Sequence, residues 1–415
     1  MSKKKFSFSM WMKYLEKLEK KNQINLIEIK HIAKKLNVLS LNSFFFTVGG
    51  TNGKGTTCAM LEKCLLDAGY QVGLYTSPHL FNFIERVKIN GSYPTEIQYI
   101  SAFLHVDAAK SNYSLSYFEF ITLAALFLFK QYSLDVIILE VGLGGRLDAT
   151  NIIDANISII TNIGIDHTLI LGVNRFSIAR EKAGIFRKNK IAVIGEKNPP
   201  DSIYQVAKKN KTILKLVNKD WHWKKYNNTW SFISSHTELN SLPIPQIPLS
   251  NAALALSALF YSGLKINLEK LRNSISDVQL QGRFQTISYF PRIILDVAHN
   301  FHAALYLAQK IDQMDIQGNI YAIFGACKDK DIFSIISPLK DKIYHWYASI
   351  LPVDRTATIK QLKNSLPSQN TFFFNDMCNA WYHLKKILNK KDIVLVFGSF
   401  ITVSEFVAIK NKELE

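Results

Sequence analysis

A glycine-rich segment is the part of the chain whose residue types point most directly to chemistry: Gly50-Thr51-Asn52-Gly53-Lys54-Gly55-Thr56-Thr57. It follows a short apolar run and opens a helical pattern, and backbone N–H groups converge on phosphate at such a turn. Lys54 would reach the outer phosphates, and a threonine hydroxyl would lie near magnesium. Val48 stands where a strict P-loop has glycine, and Gly55 separates the lysine from the threonines. The lysine and the two threonines nevertheless predict a nucleotide site rather than a generic strand-to-helix turn.

A glutamate and an Asp-His pair follow two further apolar runs. Glu140 comes directly after the run 136–139, and Asp166 and His167 come shortly after 157–161. In a parallel α/β sheet the carboxyl ends of the strands form the ligand crevice, so both positions suit metal binding. A carboxylate beside so apolar a strand is costly without a partner, which favours a ligand role for Glu140. A single histidine is more often simply hydrogen-bonded, but the shared sheet edge favours a metal ligand or a supporting contact.

Three other polar clusters have less specific residue types. The glycines of 142–145 allow a tight loop from which Arg146 and Asp148 can face a ligand. The segment 180–187, by its residue types alone, indicates a charged helix end. Asp296 ends an apolar run in the last third of the chain, where it suits a ribose hydroxyl or a magnesium-bound water.

Alternating helices and strands must position these residues. Helical spacing of apolar residues predicts one or two helices within 10–40, and further helices at 53–69, 95–110, 117–131 and 251–262. Short apolar runs predict buried strands at 44–48, 72–75, 136–139, 157–161 and 191–194. This alternation predicts an α/β fold with a parallel sheet covered on both faces.

The pattern changes twice in the second half of the chain. Aromatic and polar residues alternate over 219–246, which predicts a small antiparallel excursion. A second strand series begins beyond residue 287, at 292–295, 320–324, 344–348 and 393–397. A chain of 415 residues exceeds one ordinary core. We therefore predict two domains, 1–286 and 287–415.

Composition narrows the class of protein. Hydrophobic residues make up 48% and charged residues 20%, as in soluble globular proteins, and no apolar run is long enough to span a bilayer. We expect a cytoplasmic protein without a membrane partner. The net charge of +17 is mostly lysine spread along the chain, and no nucleic-acid-binding motif accompanies it, so no nucleic-acid partner is expected. Without paired or zinc-type spacing, four cysteines are predicted to be reduced packing residues: Cys58, Cys64, Cys327 and Cys378.

Taken in order, the motifs resemble the Mur ligase superfamily and, within it, the bifunctional dihydrofolate synthase/folylpolyglutamate synthases of bacteria. The matching segments are 50–57, Tyr75-Thr76-Ser77-Pro78-His79-Leu80, Tyr117-Phe118-Glu119, 139–151, Asp166-His167-Thr168, 180–187, Gln281-Gly282-Arg283-Phe284, 296–300 and Phe397-Gly398-Ser399-Phe400. They span nearly the whole chain. The resemblance implies a P-loop Mur-ligase-type ATP-binding domain with a parallel-type sheet, followed by a smaller, Rossmann-like C-terminal α/β domain.

The resemblance also implies roles for individual residues. Magnesium, at two sites, would be held by Ser77, Glu140, His167 and Lys182, the lysine being carried as a carbamate. ATP would contact Gly53, Lys54, Gly55, Thr56, Thr57, Asn251, Arg283 and Asp296. Pteroate would contact Ser116, Tyr117, Phe118, Glu119, Leu147, Asp148 and Ala149. Glutamate would contact His299 and Ser399, and the implied catalytic residues are Lys54, Lys182 and His167.

The implied reaction is the ATP-dependent ligation of L-glutamate to 7,8-dihydropteroate and to folate mono- and polyglutamates, through an acyl phosphate, by a monomer. Domain closure would exclude water from that intermediate. Similar proteins carry an Asp-Leu-Gly-Leu-type segment at the pterin site, where this chain has Asn25-Leu26-Ile27-Glu28. That departure leaves open a folylpolyglutamate synthase without dihydrofolate synthase activity. A P-loop kinase or nucleotide switch is a second alternative, and it leaves Glu140 and His167 unexplained.

Overall fold

The computed structural model describes residues 3–18, 26–235 and 237–413. The chain forms two structural units, Met1–Gln279 and Leu280–Glu415. The sequence places the division after residue 286, which lies inside a strand, Gln285–Tyr289, that is hydrogen-bonded to the next strand of the second unit. Because a strand belongs with the sheet that it pairs with, residues 280–286 are part of the second unit.

A sheet of seven strands forms the centre of the first unit in the described part of the chain. Its strands are β1 (Phe44–Gly49), β2 (Val72–Tyr75), β3 (Val87–Ile89), β4 (Val136–Glu140), β5 (Ile157–Ile160), β6 (Ile191–Ile194) and β7 (Ile213–Leu216). The order is β3-β2-β4-β1-β5-β6-β7, and only β3 runs antiparallel to its neighbour. The carboxyl ends of β1, β4 and β5 are therefore adjacent, so the residues that follow them meet at one edge.

Helices cover this sheet and form apolar clusters with it. They are α1 (Phe8–Glu16), α2 (Leu26–Lys35), α3 (Lys54–Asp67), α4 (Glu96–Lys110), α5 (Tyr117–Lys130), α6 (Thr168–Leu171), α7 (Arg175–Lys182) and α8 (Asp201–Asn210). One cluster joins α1, α2, α4 and α5 to β1 and β4, and its large rings include Trp11, Phe103 and Phe120. Burying each such ring contributes about 2 kcal/mol to folding. A second cluster joins α7 and α8 to β5 and β6.

A small antiparallel sheet and two helices complete the first unit. The strands β8 (Trp221–Lys225), β9 (Thr229–Ser234) and β10 (Glu238–Pro243) confirm the antiparallel excursion predicted over 219–246. The helices α9 (Leu249–Ser262) and α10 (Leu268–Asp277) follow, and both pack against α3. Because α3 begins at the phosphate loop, α9 brings residues from far along the chain to that loop.

The second unit is built on a six-stranded sheet in the described residues. Its strands are β11 (Gln285–Tyr289), β12 (Arg292–Asp296), β13 (Ile320–Phe324), β14 (His345–Ser349), β15 (Thr371–Phe374) and β16 (Ile393–Phe397). The order is β11-β12-β16-β13-β14-β15, with only β11 antiparallel. The helices are α11 (Phe301–Asp312), α12 (Ile332–Ile336), α13 (Ile359–Ser365), α14 (Met377–Lys385) and α15 (Phe400–Lys412). This is the predicted C-terminal α/β domain.

The structure differs from the sequence-based elements mainly at the sheet edges. The strands β3, β7, β11 and β15 were not predicted, because each is short or partly exposed and lacks an uninterrupted buried apolar run.

Cys378 is exposed on α14, so its interpretation as a packing residue is wrong, whereas the other three cysteines are buried. None of the helices in the described residues is both long and apolar enough to cross a membrane.

Candidate active site

The phosphate loop, residues 50–57, leads from the end of β1 into the N-terminus of α3. Gly53 precedes the helix with φ +80°, a left-handed conformation that glycine adopts without strain. The first backbone N–H groups of a helix have no partner within it, and the helix dipole places positive potential there. The loop therefore has the geometry of an anion site at a helix N-terminus.

The segment after β5 holds the phosphate loop in place. Thr51 donates its backbone N–H to the Asn162 carbonyl at 3.0 Å, and its hydroxyl oxygen accepts from the Gly164 N–H at 2.9 Å. The Thr161 hydroxyl donates to the Asn52 carbonyl at 2.6 Å, and the Asn162 side-chain oxygen accepts from the Asn52 N–H at 3.0 Å. These contacts join residues 109 to 113 positions apart. The shape of the loop is therefore set by tertiary contacts.

The predicted nucleotide contacts of the first unit surround this loop. The hydroxyls of Thr56 and Thr57 donate to the Gly53 carbonyl at 3.0 and 2.8 Å. The Asn251 side-chain amide, from α9, donates to the Thr56 hydroxyl at 2.8 Å, and both residues are buried. The Lys54 ammonium donates to two loop carbonyls at 3.3 and 3.4 Å. The structure thus brings together all of the predicted nucleotide contacts that lie in the first unit.

Replacing Gly53 with alanine is expected to weaken ATP binding about tenfold, since a strained backbone costs about 1–3 kcal/mol. An added Cβ would lie 2.5 Å from the Asn251 side-chain nitrogen, in addition to the strain at φ +80°. Calorimetric titration with ATP measures the effect. Gly263→Ala is the matched control, because Gly263 has φ +74° and nothing within 4 Å of the added atom. Equal ATP affinities for the two variants would contradict the prediction.

Glu140 and Ser77 lie side by side at the sheet edge. Glu140 ends β4 in register with Val48 of β1, and it is 5% exposed. Its carboxylate accepts a hydrogen bond from the Ser77 N–H at 3.0 Å. Burial raises the pKa of Cys58 well above its usual value, Glu140 raises it further, and Lys54 lowers it. Glu140 and Lys54 therefore both lie close to this inert, buried thiol.

Lys182 ends α7 and is only 3% exposed. Burial lowers the pKa of its amine to about 7, the Lys54 ammonium lowers it further, and the Asp166 carboxylate raises it. The amine therefore lies within electrostatic reach of the phosphate loop and of the segment after β5. Residue types alone indicated a charged helix end for 180–187, and the structure corrects that interpretation at Lys182.

His167 is more exposed than the other predicted metal ligands, Ser77, Glu140 and Lys182. It has φ +52°, its backbone N–H donates to the Asp166 carboxylate at 2.8 Å, and its side chain is 41% exposed. In the described residues no group of three His, Cys, Asp or Glu side chains could hold a metal ion. A metal at this edge would therefore need other donors as well, such as the Ser77 hydroxyl or a carbamate on Lys182, and the predicted ligand set contains both.

The predicted acceptor segment, Ser116–Glu119, begins α5. The Glu119 carboxylate accepts from the Ser116 N–H and hydroxyl, both at 2.8 Å, and the Ser116 hydroxyl oxygen accepts from the Glu119 N–H at 3.4 Å. These two residues form a capping box, which fixes the start of the helix. Phe118 packs on the loop after β4, where a Cβ on Gly142 would lie 2.6 Å from its ring. Tyr117, the first residue of α5, is half-buried.

Asp148 organises the loop that follows β4. Its carboxylate accepts from the Leu143 N–H at 2.9 Å and from the Thr150 N–H and hydroxyl at 3.0 and 2.7 Å. Burial raises the pKa of Asp148, and these hydrogen bonds oppose that change. The neighbouring predicted contacts, Leu147 and Ala149, are half-buried and buried. Asp148 therefore shapes the loop from inside.

The pterin segment is only partly described. Asn25 lies outside the described residues, and Leu26–Glu28 open α2. This helix packs against the short 3-10 turn Ala149–Ile152, which follows Asp148. The helix that contains Leu26–Glu28 therefore lies against the end of the predicted acceptor loop.

Four predicted residues of the second unit gather at the carboxyl ends of β12 and β16. Asp296 accepts from two backbone N–H groups at 2.9 and 2.8 Å, and burial raises its pKa while Arg283 lowers it. The Arg283 guanidinium lies 5.5 Å from the Phe400 ring centroid, and the His299 ring lies 6.0 Å from it. Ser399 caps α15. The structure brings all four to one edge of this sheet.

Comparison with known proteins decides the family. The Mur ligase middle domain matches residues 48–259, and the glutamate ligase domain of Mur ligases matches residues 282–400. A dihydrofolate synthase/folylpolyglutamate synthase of Buchnera aphidicola subsp. Schizaphis graminum is 63% identical over 100% of this chain and 99% of its own length. The chain belongs to the dihydrofolate synthase/folylpolyglutamate synthase family of Mur ligases.

Solved structures of similar proteins agree with this family and with the α/β fold. E. coli FolC in complex with DHPP and ADP is 42% identical, with a TM-score of 0.96 and 100% of both chains covered. A bifunctional folylpolyglutamate synthase/dihydrofolate synthase with Mn, AMPPNP and L-glutamate bound is 43% identical, with a TM-score of 0.94 and 98% of both chains covered. The predicted pair of Mur ligase domains is confirmed.

Two arginines beside the predicted acceptor segments were not assigned a role from the sequence. Arg187 donates to Asp154 and, at 3.0 Å, to the Asn151 carbonyl, and so ties the acceptor loop to the end of the segment that contains Lys182. Arg86 is buried beside the acceptor segment. The local sequence does not single out Arg86, which stands between Glu85 and Val87 just before β3.

Proposed function

We propose that this chain ligates L-glutamate to 7,8-dihydropteroate and to folate mono- and polyglutamates at the expense of ATP. The observation that carries the proposal is the convergence of the phosphate loop, Glu140 and buried Lys182 at the carboxyl ends of β1, β4 and β5. Relatives of the same family support it, since one was solved with DHPP and ADP and another with AMPPNP and L-glutamate.

ATP is proposed to bind with its phosphates on residues 50–57. Gly53 has no side chain that could accept from the first N–H groups of α3 in place of a phosphate, and the helix dipole favours the negative charge. Lys54 provides a cation for the outer phosphates, and Asn251 fixes the Thr56 hydroxyl from α9. The proposed nucleotide contacts of the second unit are Arg283 and Asp296. Positioning and charge neutralisation account for most of the catalysis in such transfers.

A divalent metal is proposed at the adjoining sheet edge, at two sites, with magnesium as the ion. Ser77 and Glu140 lie together there, and His167 supplies an imidazole. Lys182 is close enough to Lys54 and Asp166 for their charges to shift its pKa. A buried amine with its pKa lowered to about 7 is a suitable nucleophile for CO2, and the carbamate so formed supplies carboxylate-type oxygens, which magnesium prefers. A bound ion at this edge would neutralise phosphate charge.

The reaction is proposed to pass through an acyl phosphate. A carboxylate oxygen of the acceptor attacks the γ-phosphorus of ATP, and the bond to ADP breaks. The amino group of L-glutamate then attacks the acyl carbon, loses a proton and displaces phosphate, leaving an amide. Lys54 offsets the repulsion between the two anions in the first step.

The acceptor is proposed to lie against the segment Ser116–Glu119 and the loop Leu147–Ala149. Tyr117 and Phe118 offer ring faces, while the capping box and the buried Asp148 hold both segments rigid. L-glutamate is proposed to contact His299 and Ser399 in the second unit. A monomeric, cytoplasmic enzyme that acts on these small-molecule substrates is part of the proposal.

One assay tests the proposed function and separates its alternatives. ADP release is measured with L-glutamate and either dihydropteroate or tetrahydrofolate as the acceptor, and we expect glutamate-dependent turnover with both. Turnover with tetrahydrofolate alone would identify a folylpolyglutamate synthase without dihydrofolate synthase activity. Phosphate release that needs no glutamate would favour a kinase or nucleotide switch and contradict the ligase.

A further inference from the structure

Arg86 joins the loop that carries Ser77 to the acceptor segment. The residue is 7% exposed and ends a short 3-10 turn just before β3. Its carbonyl accepts from the Thr76 N–H at 2.9 Å, which ties the backbone of Arg86 to the loop after β2. Its Nε donates to the Nδ1 atom of His79 at 2.9 Å. That bond holds the Nε edge of the guanidinium, and the two terminal nitrogens form the other edge.

Aromatic rings enclose the same guanidinium. Its carbon atom lies 5.7 Å from the ring centroid of Phe83 and 5.7 Å from that of Tyr117. The charge of Arg86 also reaches Tyr117, within the proposed acceptor segment, because burial raises the pKa of the Tyr117 hydroxyl and the guanidinium lowers it. The rings provide a favourable but weak cation–π environment. They also exclude water from the cation, which strengthens its attraction for an anion.

No carboxylate within residues 3–18, 26–235 and 237–413 forms an ion pair with Arg86. Some arginines of the first unit do have such a partner, since Arg146 pairs with Glu181, Arg175 with Glu196, and Arg187 with Asp154. A buried cation without an anion is costly, because its desolvation is not repaid. Its position beside the acceptor segment indicates that an anionic ligand repays it.

We propose that Arg86 binds the non-reacting carboxylate of the terminal glutamate of folate acceptors. This inference rests on the proposed function. Dihydropteroate has one carboxylate, which is phosphorylated, whereas a folate that ends in glutamate carries a second one that stays anionic. Lys54 belongs to the ATP phosphates, so the second carboxylate needs another cation. The two terminal nitrogens of a guanidinium match a carboxylate in a two-point contact.

Arg86→Gln tests the proposal with three acceptors: dihydropteroate, tetrahydrofolate, and a tetrahydropteroyl conjugate in which 4-aminobutyrate replaces glutamate. The last retains a side-chain carboxylate and lacks the second one. We expect kcat/KM for tetrahydrofolate to fall about 30-fold, through KM, as for the loss of a charged hydrogen bond. The values for the other two acceptors should stay much closer to wild type, so the variant loses the preference for glutamate over aminobutyrate.

A second variant and a control keep the test decisive. Arg86→Lys retains the cation and therefore the fold, but loses the two-point contact, and the same acceptor-selective rise in KM is expected. Arg272→Gln is the matched control, because Arg272 donates to two backbone carbonyls of β10, at 2.7 and 2.9 Å, away from the acceptor segment. Its kinetic constants should match those of the wild type.

Three results would overturn the inference. An equal loss with all three acceptors would assign Arg86 a purely structural role. A raised KM for L-glutamate with dihydropteroate as the acceptor would assign the same carboxylate chemistry to the incoming amino acid. No effect on any acceptor would remove Arg86 from the site. A wild-type protein that ligates glutamate to neither dihydropteroate nor tetrahydrofolate would instead show that the proposed function itself fails.

Discussion

Glu140→Gln is expected to lower the rate of ligation about a thousandfold, or by about 4 kcal/mol in the activation free energy, while leaving the fold intact. The substitution keeps the shape of the side chain and its hydrogen bond from the Ser77 N–H, observed at 3.0 Å. It removes the negative charge at a rigid strand end, where a divalent ion is proposed to bind. Glutamate-dependent ADP release across a magnesium titration measures the loss.

The control for this prediction is a glutamate away from the sheet edge. Glu269 lies in the exposed first turn of α10, so Glu269→Gln should have wild-type activity. Thermal unfolding of both variants checks that the fold is retained. Near-normal turnover of Glu140→Gln at saturating magnesium would refute the assignment of Glu140 as a metal ligand.

Lys182→Ala is expected to lose most activity and to regain part of it when a short-chain carboxylate such as acetate is added. The amine is 3% exposed and its pKa is lowered to about 7, so above pH 7 it is neutral and able to react with CO2. As the pH falls through about 7, protonation competes with the carbamate, and wild-type activity should decrease. A small carboxylate can enter the space left by the lysine side chain and replace the missing oxygens.

Two measurements together test for the carbamate: the mass of the native protein and the rescue of Lys182→Ala by added carboxylates. Native protein kept under CO2 should carry the mass of one CO2, and Lys182→Ala should not. Lys188→Ala is the matched control, because Lys188 is exposed and close in the chain, and it should keep both the mass increment and the activity. An unmodified wild-type amine, together with no rescue by any carboxylate, would contradict the role of Lys182.

The core strands and most helices could be predicted from local pattern. β1, β4 and β5 are uninterrupted apolar runs, and such runs indicate strands buried on both faces. The edge strand β3 is only three residues, Val87–Ile89, and contains a lysine. It is a strand because β2 offers it hydrogen bonds, which no local pattern reports. The boundary between the two domains was misplaced for the same reason, since only the pairing of β11 with β12 shows that β11 belongs to the second unit.

The residues of the candidate site could be predicted where they belong to one contiguous segment of the sequence. The phosphate loop is a contiguous segment, and Glu140 directly follows an apolar run, so both could be placed on the sheet edge from the order of residues. The Asn251 contact with Thr56 spans 195 residues, and only the packing of α9 on α3 produces it. Ser116 and Glu119 are the opposite case, because they form a capping box, which is a local pattern that marks the start of a helix. The family resemblance implied these two residues only as ligand contacts.

The sequence by itself determined the fold class, the family and the phosphate loop, because apolar periodicity and contiguous motifs are properties of neighbouring residues. Only the tertiary structure decided which charges are buried. Lys182 and Arg86 are ordinary cations in the sequence, and the loss of solvent around them is what lowers the pKa of the first and leaves the second in need of an anion. Burial depends on elements that are distant in the chain, so residue type and spacing alone do not report it.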